Sequence, residues 1–434
     1  MIVEKSHVGI VGMGTVGAGV ARLLLDHGDR TARHAGRTLW LEHVVIRDIT
    51  KKRDVDLPRG VLTDDLQRLL DDRTVTSVAL LIGGVEPART IALRILEAGK
   101  DLVTANKALL AEHGPELFDR ARELGRSIAF EAAVAGGIPI ITNISQCLNA
   151  NKITSIRGIL NGTTNYIVSR MDRGQGDFAS SLAQAQKLGF AEADPTMDVD
   201  GSDAAQKLAI LAHLAFGSRV HWTEIPRRGI ESLQLSDFRY AHQMGFRIKL
   251  IAFAELTEKG LQIEVAPMLV REGTPLAEVR DNFNAVSVVG DAVGPVFFHG
   301  QGAGQMPTAS AVVADMIDTA VGRTKITFQT LKLWSSSDPS IAIAPHGAAR
   351  ARYYLRFNVT ERSHVLAAIT KVMGKFGISI ASVFQHDDDR SENGVVPLVI
   401  MTHETCEENA KAAVDEINRL DFVHATTERL KVLD

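Results

Sequence analysis

Three glycines near the start of the chain restrict its fold more than any other feature. Gly12-Met13-Gly14-Thr15-Val16-Gly17 follows at once on a short β-rich run, residues 7–11, and leads into a helical segment over 18–26. Placed between a strand and a helix, this spacing fits a βαβ unit that cradles a dinucleotide. Gly12 makes the tight turn, Gly14 lets backbone NH groups approach a pyrophosphate, and Gly17 allows helix and sheet to pack closely, with the anion on the helix N-terminus. Met13, Thr15 and Val16 complete the loop. A glycine-rich turn that serves packing alone is the plainer alternative.

The pattern around the loop supports the first reading. Residues 39–46, 78–82, 102–104 and 127–130 are further β-rich runs, and helical segments at 91–98 and 116–124 lie between them. Such alternation implies a parallel sheet with helices on both faces, a Rossmann-type α/β domain over residues 1–135. From 136 to 304 the pattern turns to long helices and then a strand pair, 247–256 and 261–270, turned at Lys259 and Gly260. This reads as a central α+β domain. Residues 305–322 read as a buried helix that returns to the first domain, and 323–350, with Ser335, Ser336, Ser337, Pro339 and Pro345, as a linker. In the last part, 351–434, Val365, Ile369, Val372, Met373 and Phe376 form one apolar helical stripe among strands at 353–359, 378–384, 395–402 and 426–432. With a helix through Ala413, Val414 and Ile417 the order is βαββαβ, which is ferredoxin-like.

At 434 residues the chain is too long for one ordinary core, consistent with two or three domains. No apolar run suits a membrane span and no export signal precedes the first strand, so a soluble protein is expected. Two cysteines, Cys147 and Cys406, are too few for a disulfide framework and suit a reducing cytoplasm. A net charge of -4 leaves no electrostatic footprint for nucleic acid.

After the second strand come Arg47, Asp48, Lys51, Lys52 and Arg53. Basic groups there suit the 2′-phosphate of NADP, although Asp48 could face the ribose hydroxyls of NAD. Gly83 and Lys107 stand at later strand exits, where open α/β sheets bind ligands, while a surface role remains open for the lysine. Asn161-Gly162-Thr163-Thr164-Asn165 reads as a loop ending at a helix N-cap, with NH groups and hydroxyls able to hold a carboxylate or amide. Downstream, Glu192, Asp194, Asp198, Asp200 and Asp203 crowd toward Lys207. Asp203 and Lys207 are four apart on one helix, with Ile210 and Leu211 continuing their face. A lysine kept partly dry beside a carboxylate can exchange a proton, as alcohol oxidation requires when hydride departs. A helical salt bridge accounts for the spacing equally well.

These segments, together with Thr104-Ala105-Asn106-Lys107, residues 130–139 and residues 302–309, resemble homoserine dehydrogenases in the family's order, and the tail resembles an ACT domain. The resemblance implies an NADP- or NAD-dependent oxidoreductase that interconverts L-homoserine and L-aspartate 4-semialdehyde. It implies Lys207 as general acid/base with Asp203 beside it. Glu192 and Asp198 would hold the substrate, aided by Gly162 and Thr163, Lys107 would lie between cofactor and substrate, and Gly304 would touch the cofactor. It further implies a monovalent cation, sodium, on the Glu131 carboxylate and the carbonyls of Val134, Gly136 and Ile138, although Glu131 could instead be a buried, hydrogen-bonded acid. The tail implies inhibition by threonine, with Gly374–Ile380 matching the turn of such sites, or else oligomerisation without a ligand. A dimer or tetramer is expected.

Two other functions compete. A sensor that kept the fold but lost catalysis would lack Lys207 or Glu192, and both are present. Aspartate-semialdehyde dehydrogenase chemistry needs a nucleophilic cysteine, and the apolar neighbours of Cys147 suggest a structural role. No aspartokinase domain precedes the nucleotide fold, so a monofunctional enzyme is expected.

Overall fold

The computed structural model describes residues 4–51, 53–332, 334, 340–386 and 394–433. Contacts divide it into two compact units. One holds the chain up to Thr154 with Gln206–Glu224 and Asn284–Ile341, and the other holds Ser155–Ala205, Ile225–Phe283 and the chain from Ala342 onward.

In the first unit β1 (Lys5–Val11), β2 (Thr38–Val45), β3 (Leu62–Thr63), β4 (Val75–Leu80), β5 (Asp101–Thr104) and β6 (Ile128–Ala129) form a parallel sheet in the order β3-β2-β1-β4-β5-β6. Val8, Ile10 and Val11 are all buried, as befits a strand covered on both faces. The connecting helices are α1 (Thr15–Asp26), α2 (Gly28–Ala35), α3 (Leu66–Asp71), α4 (Ala88–Glu97) and α5 (Lys107–Glu123). The strand order reverses at β1, which opens a crevice above its carboxyl end, the Rossmann arrangement. Helix α5 starts well before residue 116, because Pro115 kinks it at His113 (φ -125°, ψ 15°) instead of opening a new helix. Next come α6 (Ile140–Thr142) and a π-helical turn, Asn143–Cys147, whose Cys147 is exposed and not packed among apolar side chains.

The second unit contains most of β7 (Ile153–Ile159), then α7 (Gly162–Asp172), α8 (Phe178–Lys187), α9 (Thr196–Val199), the start of α10 (Ser202–Phe216), α11 (Leu235–Gln243), β8 (Phe246–Thr257) and β9 (Gly260–Arg271). β8 and β9 pair in unbroken antiparallel register from Phe246↔Arg271 to Thr257↔Gly260, each strand longer by one residue at each end than its sequence pattern predicts.

Back in the first unit, β10 (Phe283–Gly290) and β11 (Gly294–Gln301) are neighbouring strands that the sequence reading passes over. Two glycines and a proline in β11 hide its alternation of half-buried and exposed residues. Helix α12 (Gln305–Ala320) returns to the nucleotide sheet, placing Ala309, Val312, Val313 and Met316 in one core with Val8, Ile10 and Val20. Gly19 makes room for it, since a Cβ there would lie 2.9 Å from that of Ala309. Part of the stretch read as a linker is helical: α13 (Arg323–Leu331) packs Phe328 on Phe118, with ring centroids 5.2 Å apart. Ser335, Ser336, Ser337 and Pro339 lie outside the described residues. Further on, in the second unit, Leu261 exchanges main-chain hydrogen bonds with Ala342 and Ala344, both 2.9 Å, so that segment is pinned to β9.

The remaining elements are β12 (Arg350–Ala351), β13 (Tyr353–Thr360), α14 (Val365–Lys375), β14 (Ile380–Phe384), β15 (Val395–Thr402), β16 (Thr405–Cys406), α15 (Glu407–Ile417) and β17 (Glu428–Leu433). β12 and β16 make a small ladder. The others give the ferredoxin-like order β17-β13-β15-β14, with Ile369, Met373, Ala413 and Ile417 packed on Leu355, Phe357 and Ile400. β17 also pairs in parallel with β9, Lys431↔Met268 to Leu433↔Val270, so a single sheet crosses the second unit as β7-β8-β9-β17-β13-β15-β14. Among the described residues no helix is long and apolar enough to cross a membrane.

Candidate active site

The glycine turn is built as its spacing requires. Gly12 has φ +97°, a Cβ on Gly17 would collide with the Gly12 carbonyl oxygen, and nothing lies within 4 Å of a Cβ placed on Gly14. Beside it is a crevice of about 710 Å³ lined by Met13, Arg47, Asp48, Lys51, Arg53 and Gly83 among others, large enough for a cofactor. Thr15 and Val16 open α1, whose first turn presents NH groups above Gly14. Asp48 is occupied locally: its Oδ1 accepts from the Thr50 amide at 2.9 Å and hydroxyl at 2.6 Å, which holds its carboxyl below the usual range. Arg53 donates to the Asp48 carbonyl at 3.0 Å, bending the basic loop back toward the strand end.

A residue to which the sequence reading gave no role, Asn106, joins two strand exits. Its amide donates to the carbonyls of Ile82 (3.0 Å) and Gly84 (2.6 Å) while its oxygen accepts from the Leu109 NH, capping α5. Lys107, half-buried, is therefore the first residue of a fixed helix.

Glu131 is buried in a tight turn after β6. Its Oε1 accepts from the Ile141 NH, and its Oε2 from the Thr142 NH and hydroxyl, all within 2.8 Å. The Glu131 NH donates to Asp315 on α12 at 2.8 Å. Burial pushes both carboxyls up, Asp315 well above the ordinary aspartate value; the charge of Glu131 adds to the effect on Asp315, and Asp318 raises both. Val134, Gly136 and Ile138, all buried, follow in the same turn, where Ala135 has φ +50° and the Ile138 carbonyl accepts from Ile140 at 2.7 Å. Glu131 is thus a buried, hydrogen-bonded acid, with three donors on its two oxygens. Among the described residues no three His, Cys, Asp or Glu side chains are grouped to hold a metal, so main-chain carbonyls would have to supply part of the shell.

The acids between Glu192 and Asp203 sort into distinct tasks. Asp194 accepts from the Thr196 amide and hydroxyl (3.1 and 2.6 Å), and Asp200 from those of Ser202 (2.7 and 2.8 Å), so both are engaged in local turns just before α9 and α10. Asp198 and Asp203 instead meet at Asn161. The Asn161 amide donates to Asp198 at 2.7 Å and to Asp203 at 2.8 Å, while its oxygen accepts from Thr164 and caps α7. One side chain thus starts a helix and bridges two carboxylates, a role that the sequence signals only as an N-cap. Gly162 opens α7, and the Thr163 hydroxyl donates to the Phe190 carbonyl at 2.5 Å, tying α7 to the loop that carries Glu192. Glu192 itself is exposed. Lys207 lies one turn beyond Asp203 on α10, half-buried on a helix whose Leu208, Ile210 and Leu211 are fully covered. Gly304, with φ +122°, precedes α12 and is exposed.

Comparison with known proteins agrees with this architecture. Residues 12–131 match the homoserine dehydrogenase NAD-binding domain, 139–317 the homoserine dehydrogenase domain, and 353–422 the ACT domain. Homoserine dehydrogenases of Synechocystis sp. and Pseudomonas aeruginosa are each 40% identical, over 98% of this chain and 99% and 98% of theirs. The crystal structure of a homoserine dehydrogenase from Thiobacillus denitrificans superposes with a TM-score of 0.90 at 39% identity, covering 100% of this chain and 99% of that one. A hyperthermophilic archaeal homoserine dehydrogenase solved in complex with NADPH gives 0.60 at 26%, over 72% of this chain and 97% of its own. Nucleotide sheet, glycine turn and matched domains define an NAD(P)-dependent oxidoreductase. The chain belongs to the homoserine dehydrogenase family.

Proposed function

We propose that the protein interconverts L-homoserine and L-aspartate 4-semialdehyde in the biosynthesis of threonine, methionine and isoleucine. The observation that carries this reading is the Asn161 bridge, which gathers Asp198 and Asp203 one turn before Lys207 on a buried helix. The dinucleotide, when bound, supplies or takes the hydride at the substrate carbon. Lys207 gives a proton to the carbonyl oxygen as the aldehyde becomes an alcohol and recovers it in reverse. Asp203 orients that amine. Glu192 and Asp198 hold the substrate ammonium, Gly162 and Thr163 bound its pocket, and Lys107 spans substrate and cofactor. Fixing most of these groups on helices lowers the entropic part of the barrier.

NADP is the favoured cofactor over NAD, since Arg47, Lys51 and Arg53 border the crevice while Asp48 is engaged by Thr50. Gly12–Gly17, Gly83 and Gly304 would contact it. A sodium ion on Glu131 and the carbonyls of Val134, Gly136 and Ile138 would offset the buried acid of that turn. Residues 1–135 with 305–322 would form the cofactor domain, 136–304 the catalytic domain, 323–350 the connection and 351–434 the regulatory domain; the packing of α12 in the core of the nucleotide sheet favours grouping it with the first. Threonine binding at the ACT domain, near Gly374–Ile380, restrains the enzyme, which assembles as a dimer or tetramer in the cytoplasm. The edge strand β14, with Val383 exposed, supports side-by-side pairing. Titration calorimetry with threonine tests the effector, and absence of heat together with unchanged kinetics rejects it.

The deciding assay follows nicotinamide absorbance with homoserine and each cofactor. Lys207→Ala should lower kcat by about 10²–10⁴-fold with little change in cofactor affinity. Turnover close to that of the parent would remove Lys207 from the chemistry.

A further inference from the structure

The turn that carries Asp198 is held from two sides. One is the Asn161 amide; the other is a strap, residues 226–230, laid along β9. The Val265 NH donates to the Pro226 carbonyl at 2.9 Å and the Arg228 NH donates to the Val265 carbonyl at 2.8 Å, so the strap follows β9 as a short extra strand. Its far end reaches the acid-bearing turn, where the Ile230 NH donates to the Val199 carbonyl at 3.0 Å. Gly229 lies so close beneath that turn that a Cβ on it would collide with the Val199 carbonyl and come within 2.9 Å of Asp200 Cα. The turn answers with its own glycine, since a Cβ on Gly201 would sit 3.2 Å from Val265. The strap is also tied to the C-terminal domain. Arg228 Nη1 lies 3.2 Å from Oε1 of Glu428, a buried residue at the start of β17, and three residues on Lys431 pairs with Glu264 of β9 at 2.5 Å.

We propose that Arg228 and Gly229 are positioning residues for the dehydrogenase reaction: through the strap, the Arg228–Glu428 pair fixes the turn that presents Asp198 and links its placement to the last strand of the ACT domain. This rests on the homoserine reading above. Neither residue touches the reacting atoms. Loss of the ion pair frees the strap from β17, and the turn above it then samples positions in which Asp198 no longer meets the substrate ammonium. The effect belongs to substrate binding and spares the cofactor crevice, where the strap contributes no lining residue.

The test uses the full-length chain, with NADPH oxidation or NADP reduction followed in parent, Arg228→Met, Arg228→Lys and Glu428→Gln. The homoserine KM should rise roughly five- to tenfold in Arg228→Met and Glu428→Gln, with kcat and the cofactor KM near parental. The double variant should be no worse than either single, and Arg228→Lys should recover much of the loss. A drop in melting temperature with an unchanged homoserine KM, or a KM that rises equally for cofactor and substrate, would overturn the strap. A parent chain that does not turn over homoserine would overturn both proposals, whereas an active parent with parental KM values in the variants overturns this one alone.

Discussion

Glu192 and Asp315 illustrate two ways in which one carboxyl can matter. Glu192 is exposed on the loop after α8, so its replacement by alanine costs little stability and reports on binding alone. Glu192→Ala should raise the homoserine KM about tenfold or more and leave the melting temperature within a degree or so. An unchanged KM would take it out of the substrate pocket. Asp315 is the opposite case, a covered acid raised well above the ordinary 3.8 by burial and by Glu131. The folded state then keeps a proton that the unfolded chain gives up, so stability is fullest below the unfolded value and declines as pH rises toward the folded one. Asp315→Asn can still accept from the Glu131 NH, and should flatten that decline in melting temperature as pH rises above the ordinary aspartate range. Parallel curves for the two proteins would refute it. The sequence already distinguishes part of the acid cluster: Asp194 and Asp200 each precede a Thr or Ser by two residues, the pattern of a local turn, whereas Asp198 does not. It does not show that Asn161 bridges acids 37 and 42 residues away, because that contact depends on how α7, α9 and α10 pack.

Among the elements, α7 allows capping and site assembly to be separated. Asn161→Ser keeps an N-cap acceptor but loses the amide that spans Asp198 and Asp203, whereas Asn161→Ala loses both. Both variants should raise the homoserine KM, and only the alanine should add about 1 kcal/mol of destabilisation, or a few degrees in melting temperature. Equal melting temperatures for the two would show that capping contributes nothing here. The nucleotide strands, the glycine turn and the βαββαβ tail were legible because each shows its periodicity locally. Elements that lack such a signal were not: β11 is interrupted by Gly294, Pro295 and Gly300, and α13 has an apolar side limited largely to Phe328 and Ile326, the latter exposed. The helical pattern at 116–124 shows only the part of α5 beyond its kink, since the stretch before Pro115 carries a weaker apolar periodicity.

Over the whole second unit, buried charge joins distant stretches of sequence. Arg356 on β13 donates to Asp237 of α11 at 2.6 Å, with Tyr354 donating to the same carboxylate at 2.7 Å, and neither ion has appreciable contact with water. Removing one partner leaves the other uncompensated, so Arg356→Met should destabilise the protein by about 3–5 kcal/mol in denaturant unfolding. The double change with Asp237→Leu should recover a large part of that loss, and if it did not, the cost would lie in packing and not in charge. No local pattern shows that α11 and β13 would share an ion pair, or that β17 would lie against β9, because such register is set only when the folded sheet assembles.

That last pairing bears on how the molecule is made. Strand β9 leaves a ribosome long before β17, with a hairpin, two long helices and most of the ferredoxin-like fold synthesised between them. Until the later strand arrives, the amides and carbonyls of Met268–Val270, beyond the stretch the strap covers, stay open to any passing β-chain, a twin on a neighbouring polysome included. Nascent chains stalled or cleaved in that interval should be the form of this protein that depends most on chaperones.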